Sequence, residues 1–251
     1  MKEMNESYMY DTITLPRVSS FPAQSSASHA IRGSARGYRT KKRPSTSYYV
    51  IKRAFDFTLA FILSVLLALP IGILLLINMV PTKGHPVYFD HRVGMNGDEI
   101  RILKIRSMYI DANDHPEKYL SEEQMKQFLS ERKVDNDPRI TKFGRLIRKT
   151  SMDELPQIFN ILLGSMSFVG PRPISQMEYE TNFSPAQRRL LVAAKPGLLG
   201  NWAVHGRSNV TFESGVRQQM ELDYVRNRSV WNDVKIMFAA VPAVLHSKGA
   251  K

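Results

Sequence analysis

Ala54-Phe-Asp-Phe-Thr-Leu-Ala-Phe-Ile-Leu-Ser-Val-Leu-Leu-Ala-Leu-Pro70-Ile-Gly-Ile-Leu-Leu-Leu-Ile-Asn-Met-Val80 is apolar at nearly every position, and Asp56 is its one charge. Wound as an α-helix, these residues would reach roughly 40 Å, more than the roughly 30 Å of a bilayer's hydrocarbon core. A buried helix of a soluble protein rarely runs this far without polar positions. Pro70 sits near the middle with Gly72 behind it. Proline removes one helical hydrogen bond and clashes with the preceding turn, so a kink or reversal is expected there.

The flanking charges bear on which of these occurs. Before the stretch runs a basic series, Arg32, Arg36, Arg39, Lys41, Lys42, Arg43, Lys52 and Arg53. After it come Lys83, Arg92, Arg101, Lys104 and Arg106. Positive flanks stay in the cytoplasm, and one straight crossing cannot keep both there. A segment that enters and returns on the same face, bending at Pro70, satisfies the rule. An ordinary spanning helix with a tolerated proline is the competing reading.

The chain has 251 residues and a formal charge of +12, which would attract nucleic acid, anionic lipid or phosphorylated substrates. It has no cysteine, which excludes disulfides, thiolate zinc sites and a cysteine nucleophile. Residues 1–47 are rich in Ser, Thr, Arg and Gly without an apolar period, and read as a basic disordered tail with no secretory signal. Pro86 to Asp90 and Ile100 to Arg106 read as strands around a turn at Gly94–Gly97, with Ile100, Ile102, Lys104 and Arg106 on one face. Surface helices are expected between Asp111 and Lys133, then a turn at Asp135–Thr141 and a helix from Lys142 to Arg148. Ser184 to Ala194 reads as a helix with Ser184 as N-cap and Pro185 at N1. Lys195 to Trp202 reads as a loop, and Glu213–Arg226 and Val230–Leu245 as helices.

Candidate chemistry gathers between Arg148 and Pro173. Asp153 and Glu154 stand five residues after Arg148, a short apolar helix stops at Gly164, and Arg172 is locked between two prolines. Ser151-Met-Asp-Glu154 is also a capping box, with Pro156 in the first turn, and that structural reading explains the acids without any chemistry. It leaves the arginines unexplained. Free amides at a helix start attract anions. Carboxylates suit Mg²⁺, an Asp can act as a phosphoryl nucleophile, and arginines clamp phosphate. The Walker loop, the dinucleotide glycine motif, His-Glu-x-x-His and Gly-x-Ser-x-Gly are all missing, and the six histidines are scattered.

Several motifs in order make the sequence resemble the bacterial sugar transferases, the monotopic phosphoglycosyl transferases, from Tyr49 to the C-terminus. They are Lys52-Arg-Ala-Phe-Asp56, the apolar segment with Pro70, Gly84-His-Pro-Val-Tyr-Phe, His91-Arg-Val-Gly94, Lys104-Ile-Arg-Ser-Met108 and Asp137-Pro-Arg-Ile-Thr141. The most specific are Arg148-Lys-Thr-Ser-Met-Asp-Glu-Leu-Pro-Gln157 and Met166-Ser-Phe-Val-Gly-Pro-Arg-Pro173. Two departures are Leu69, where the family often has serine before the proline, and Gly200-Asn-Trp-Ala-Val204, where many relatives read Gly-Leu-Trp-Gln-Val.

The resemblance implies an α+β, mostly helical protein of the short form. A basic tail (1–47) would precede a re-entrant helix-break-helix anchor (48–81) bent at Pro70 and a compact cytoplasmic catalytic domain (82–251). It implies transfer of a sugar 1-phosphate from a UDP-sugar to polyprenyl phosphate on the cytoplasmic face of the bacterial inner membrane, beginning exopolysaccharide or glycan assembly. Asp153 would attack the β-phosphate, and Glu154, with Asp153, would hold Mg²⁺. Arg148, Arg172, Lys104, Arg106 and Arg139 would hold phosphate. Membrane lipid is an expected partner and nucleic acid is not, and a homodimer is allowed for. The donor sugar is open among glucose, galactose and N-acetylated sugars. A non-catalytic membrane scaffold and a nucleic-acid-binding protein are the alternatives.

Overall fold

The computed structural model describes residues 44–131, 134–205, 212 and 214–245. Residues 1–43 of the basic tail and Glu213 therefore lie outside the described residues. Helix α1, Thr46–Met79, begins at Ser45, whose side chain accepts the amide of Tyr48, and runs for 34 residues with Pro70 inside it. The chain thus stays helical through Pro70. A proline removes a single N–H, and the turns on either side keep their own bonds. One stripe of α1 is buried, at Asp56, Ala60, Ser64, Ile71 and Asn78. The opposite face is bare and apolar, with Leu66 at 66 %, Leu69 at 73 % and Leu76 at 67 % exposure. By length and composition α1 is able to cross a membrane.

Both ends of α1 are tied to the same body. Near its start, Arg53 donates to the carbonyls of Ile161 and Leu162, and Asp56 accepts the amide of Phe168 at 3.1 Å. At its far end, Asn78 Nδ2 donates to the carbonyl of Arg106 at 2.7 Å.

Strands β1 (Val87–Val93) and β2 (Glu99–Ile105) form the expected antiparallel hairpin, closed by a short 3₁₀ turn at Met95–Gly97. Asn96 takes φ 64° there, an αL conformation that Asn tolerates. Pairing of Tyr88 with Lys104, Asp90 with Ile102 and Arg92 with Ile100 puts all six side chains on one face. After helices α2 (Glu122–Glu131) and α3 (Lys142–Lys149), a 3₁₀ turn at Met152–Glu154 leads into α4, Gln157–Leu163. Gly164, at φ 91°, ends α4 in the left-handed conformation that glycine adopts without strain.

Among the described residues no third strand pairs with β2. Asn160 of α4 stands in for one: Oδ1 accepts the amide of Leu103 at 2.9 Å, and Nδ2 donates to the carbonyl of Arg101 at 2.7 Å. The remaining elements are β3 (Ser167–Val169), α5 (Gln176–Asn182), α6 (Pro185–Leu191), β4 (Gly197–Leu199), α7 (Asn201–His205), α8 (Val216–Asn227) and α9 (Val230–Leu245). Ser184 and Pro185 begin α6 as expected. The expected loop at Lys195–Trp202 instead holds β4, parallel to β3, and the start of α7. The core joins α1, β2, α4, β3, α8 and α9 through Ala60, Ile102, Ile161, Phe168, Val225 and Ile236. The architecture is α+β and mostly helical.

Candidate functional site

The acid pair does not sit on a capping box. Ser151 has φ 56° and ψ 21°, its side chain caps nothing, and Met152–Glu154 form a separate 3₁₀ turn. An N-cap needs extended backbone, and a left-handed Ser151 swings its hydroxyl away. Pro156 accordingly precedes the first residue of α4 rather than occupying it, a one-residue shift. Capping boxes do form at Ser175/Glu178 and Ser184/Gln187.

The turn presents Asp153 and Glu154 against β2 and the end of α3. Burial, and then the Glu154 carboxylate beside it, push the Asp153 carboxyl up to about 6, against the pull of Lys104 and Arg148. Arg148 donates Nε to Ser107 Oγ at 2.8 Å, and its Nη groups have no protein acceptor among the described residues. Burial lowers its pKa, and the charges of Asp153 and Asp137 oppose that. The Ser107 carbonyl accepts the amide of Thr141, and a Cβ on Gly144 would stand 2.0 Å from that oxygen, so α3 is pressed onto the end of β2.

A cleft beside the acids is lined by Arg92, Lys104, Glu154, Gln157, Arg172, Pro173 and Leu198. Asp90 organises its basic side, accepting Lys104 Nζ at 2.7 Å and Arg92 Nη2 at 2.9 Å. Burial pushes the Asp90 carboxyl up, but Arg92 and Lys104 outweigh it and hold it below the ordinary range. Arg92 also reaches Glu178 at 3.2 Å.

Arg172 is fixed by its backbone. The Gly170 amide donates to Leu199, the Gly197 amide donates to the Pro171 carbonyl, and the Arg172 amide donates to Glu221 Oε2 at 2.9 Å. Its guanidinium then lies 5.0 Å from the centre of the Trp202 ring, and Arg217 lies 4.4 Å from the same ring. Glu221 is 1 % exposed, and burial raises its pKa.

Of the residues singled out from sequence, Glu154, Lys104 and Arg172 line the cleft, and Asp153 and Arg148 adjoin it. Arg106 and Arg139 do not reach it. Arg106 is spent on the carbonyls of His85 and Val87 and on the Tyr88 ring. Arg139 is 2 % exposed, pairs with both oxygens of Asp137 and lies 4.3 Å from the Phe128 ring centre. The structure thus places Arg139 away from the cleft, enclosed between Asp137 and Phe128. Its charge bears on Arg148 instead. Arg92, Asp90, Gln157 and Glu221 were missed; only hairpin register could have found the first two. Two adjacent carboxylates, one held reluctant to ionise by burial and then by the other, suit a divalent cation. Mg²⁺ commonly takes one or two carboxylates and completes its shell with water and substrate phosphate. Among the described residues no group of three or more His, Asp or Glu side chains forms a metal cage.

Fold and site together define a small α+β domain on a long apolar helix, with an acid pair set into a basic cleft. The model of the family described as bacterial sugar transferase matches residues 47–247, and the chain belongs to that family. It is 40 % identical over 206 residues to the galactosyl transferase CpsE of Streptococcus agalactiae, covering 82 % of this chain and 44 % of that protein. The undecaprenyl-phosphate galactose phosphotransferase of Salmonella typhimurium is 39 % identical over 80 % of this chain and 41 % of its own length. The exopolysaccharide production protein ExoY of Rhizobium meliloti is 36 % identical over 79 % of this chain and 87 % of its own. The chain thus spans under half the length of the first two relatives and most of the third.

Proposed function

We propose that this chain transfers a sugar 1-phosphate from a UDP-sugar to polyprenyl phosphate at the cytoplasmic face of the bacterial inner membrane. The products are a polyprenyl-diphosphate sugar and UMP. The observation that carries the reading is the acid pair at Asp153 and Glu154, set between Lys104, Arg148 and Arg172. The names of the Streptococcus and Salmonella relatives, a galactosyl transferase and a galactose phosphotransferase acting on undecaprenyl phosphate, agree with it.

The Asp153 carboxylate attacks the β-phosphorus of the donor. The bond from that phosphorus to the bridging oxygen breaks, UMP leaves with the electron pair, and Asp153 carries the phosphosugar as a mixed anhydride. An oxygen of polyprenyl phosphate then attacks the same phosphorus, and the carboxylate is the leaving group. Lys104, Arg148 and Arg172 bind the diphosphate and stabilise charge on the transferring group. Asp90, itself held by Arg92, orients Lys104, and Arg139 with Asp137 backs Arg148. Asp153 and Glu154 would hold Mg²⁺, which neutralises the diphosphate when bound.

The anchor re-enters rather than spans. In support, one body binds α1 both at Arg53 and Asp56 and at Asn78. A spanning helix would separate these points by roughly 30 Å, on opposite faces of the bilayer.

The test is UMP release from UDP-galactose and UDP-glucose by membranes carrying the protein, with and without polyprenyl phosphate. Release that needs the lipid acceptor and is abolished by EDTA is expected. Asp153→Asn should lower turnover by roughly a thousandfold or more, the scale of losing a nucleophile. Full turnover by that variant would remove the aspartyl intermediate.

A further inference from the structure

A cavity of about 250 Å³ lies apart from the acid pair. Its lining includes Tyr49, Lys52, Arg53 and Asp56 of α1, Lys195 before β4, and Arg228 after α8. The strand pair β3–β4 and the length of α4 separate it from Asp153: Arg53 holds the last carbonyls of α4, and the acids precede its first residue.

Four cations meet one carboxylate in this lining. Asp56 already accepts the Phe168 amide, and Asp233 behind the wall takes Lys52 at 2.8 Å. The partners of Arg53 are carbonyls, and Arg228 reaches a carbonyl and the Tyr49 hydroxyl. Neutral acceptors satisfy hydrogen bonds without cancelling charge. Arg228 Nε is buried with no acceptor, and Lys195 makes no hydrogen bond or ion pair among the described residues. Burial, then Arg53 and Lys52, lower the Lys195 pKa. The cavity is positive, and Lys195 is its cation without a hydrogen-bonded acceptor among the described residues.

Its position says which anion. Val50 and Ile51, on the same turn as Tyr49 and Lys52, are 62 % and 51 % exposed, and Trp231, three residues after Arg228, is 67 % exposed. Tyrosine, tryptophan and basic residues around an apolar surface mark headgroup depth. A volume below the roughly 300 Å³ at which pockets for drug-sized ligands begin suits a headgroup better than a nucleotide sugar. We propose that this cavity binds the phosphate headgroup of an anionic phospholipid, with Lys195, Arg53 and Arg228 as its ligands. This rests on α1 lying in lipid but not on the transfer reaction.

The full chain would be reconstituted in phosphatidylcholine nanodiscs with 0 or 30 % phosphatidylglycerol, and flotation on vesicles of the same compositions measured alongside. Phosphatidylglycerol should raise Tm by several degrees and co-purify with the protein in native mass spectra. Lys195→Gln with Arg228→Gln should remove at least half of that gain, Lys195→Arg should keep it, and Lys235→Gln, outside the cavity, should leave it intact. Equal gains in the double variant and wild type, or equal losses in the double variant and Lys235→Gln, would overturn the site. If 10 mM inorganic phosphate in phosphatidylcholine discs reproduces the gain, the lipid assignment falls. A wild-type chain that fails to float on either vesicle overturns the anchoring and this site together. Flotation without preference for phosphatidylglycerol overturns the site alone.

Discussion

At Asp153 two demands conflict. A phosphoryl nucleophile must be ionised, yet burial and Glu154 oppose ionisation and push the carboxyl up to about 6. Because the folded-state pKa lies above the ordinary value, the site favours folding while Asp153 is protonated, and that advantage is lost as pH rises through about 6. In EDTA, Asp153→Asn should therefore match wild type in stability near pH 4 and exceed it by about 1–3 kcal/mol at pH 8. Thermal unfolding across that range checks the sign; a variant less stable than wild type at pH 8 would show that the surrounding cations already compensate the charge. Activity should run the other way, falling as pH drops below about 6. The acids, Arg148 and Arg172 were legible because they crowd into one stretch of sequence. The enclosure of Arg139 beside Asp137 was not legible, because sequence gives residue type and not burial. Asp90 and Arg92 were hidden because their position beside Lys104 depends on hairpin register, which alternation alone does not fix.

The element that aims Arg172 is the parallel pair β3–β4, and it depends on glycine for its closeness. A Cβ on Gly197 would meet the Gly170 nitrogen at 2.0 Å, and one on Gly170 would meet the Lys195 carbonyl at 2.4 Å. Backbone atoms cannot yield as a side chain tip can. Gly197→Ala should thus cost roughly 2–4 kcal/mol, at the upper end of overpacking, and move Arg172 off the cleft. Calorimetry would read the first effect, and a raised KM for the UDP-sugar would read the second in whatever fraction folds. Asn160→Ala gives a parallel test at the hairpin edge, where it strands the Leu103 amide and the Arg101 carbonyl. A loss of about 2–4 kcal/mol is expected from two buried groups left unpaired. Neither device was legible. β3 and β4 have three residues each, too few to show a period, and a side chain completing a sheet edge leaves no pattern in sequence. The hairpin, α6 and α9 were legible because each carries its own period, turn or cap. The capping box at Ser151 fitted the same rules and failed, since nothing local announces the left-handed turn that Ser151 makes.

For the whole molecule, the question is on which side of the bilayer the two ends of α1 lie. Its outward face exposes apolar side chains along its full length, while residues 53–56 and 78 dock on one body. If that body stays whole, both ends share its face of the membrane, and the acid pair is carried close to the headgroups where a lipid phosphate can approach it. The chain has no cysteine, so single labels report cleanly. Ser47→Cys and His85→Cys replace exposed residues, the first in the opening turn of the helix and the second just past its far end. In intact cells both should resist an impermeant maleimide, and both should label fully in inverted membrane vesicles. Pro70→Ala then tests whether the proline keeps both ends on one face. Restoring one helical hydrogen bond favours a straighter helix, and part of the population should expose residue 47 to the impermeant reagent while residue 85 stays protected. Opposite accessibility of the two positions in the parent chain would mean that α1 spans, and would require the contacts at Asn78 or at Arg53 and Asp56 to open in the membrane.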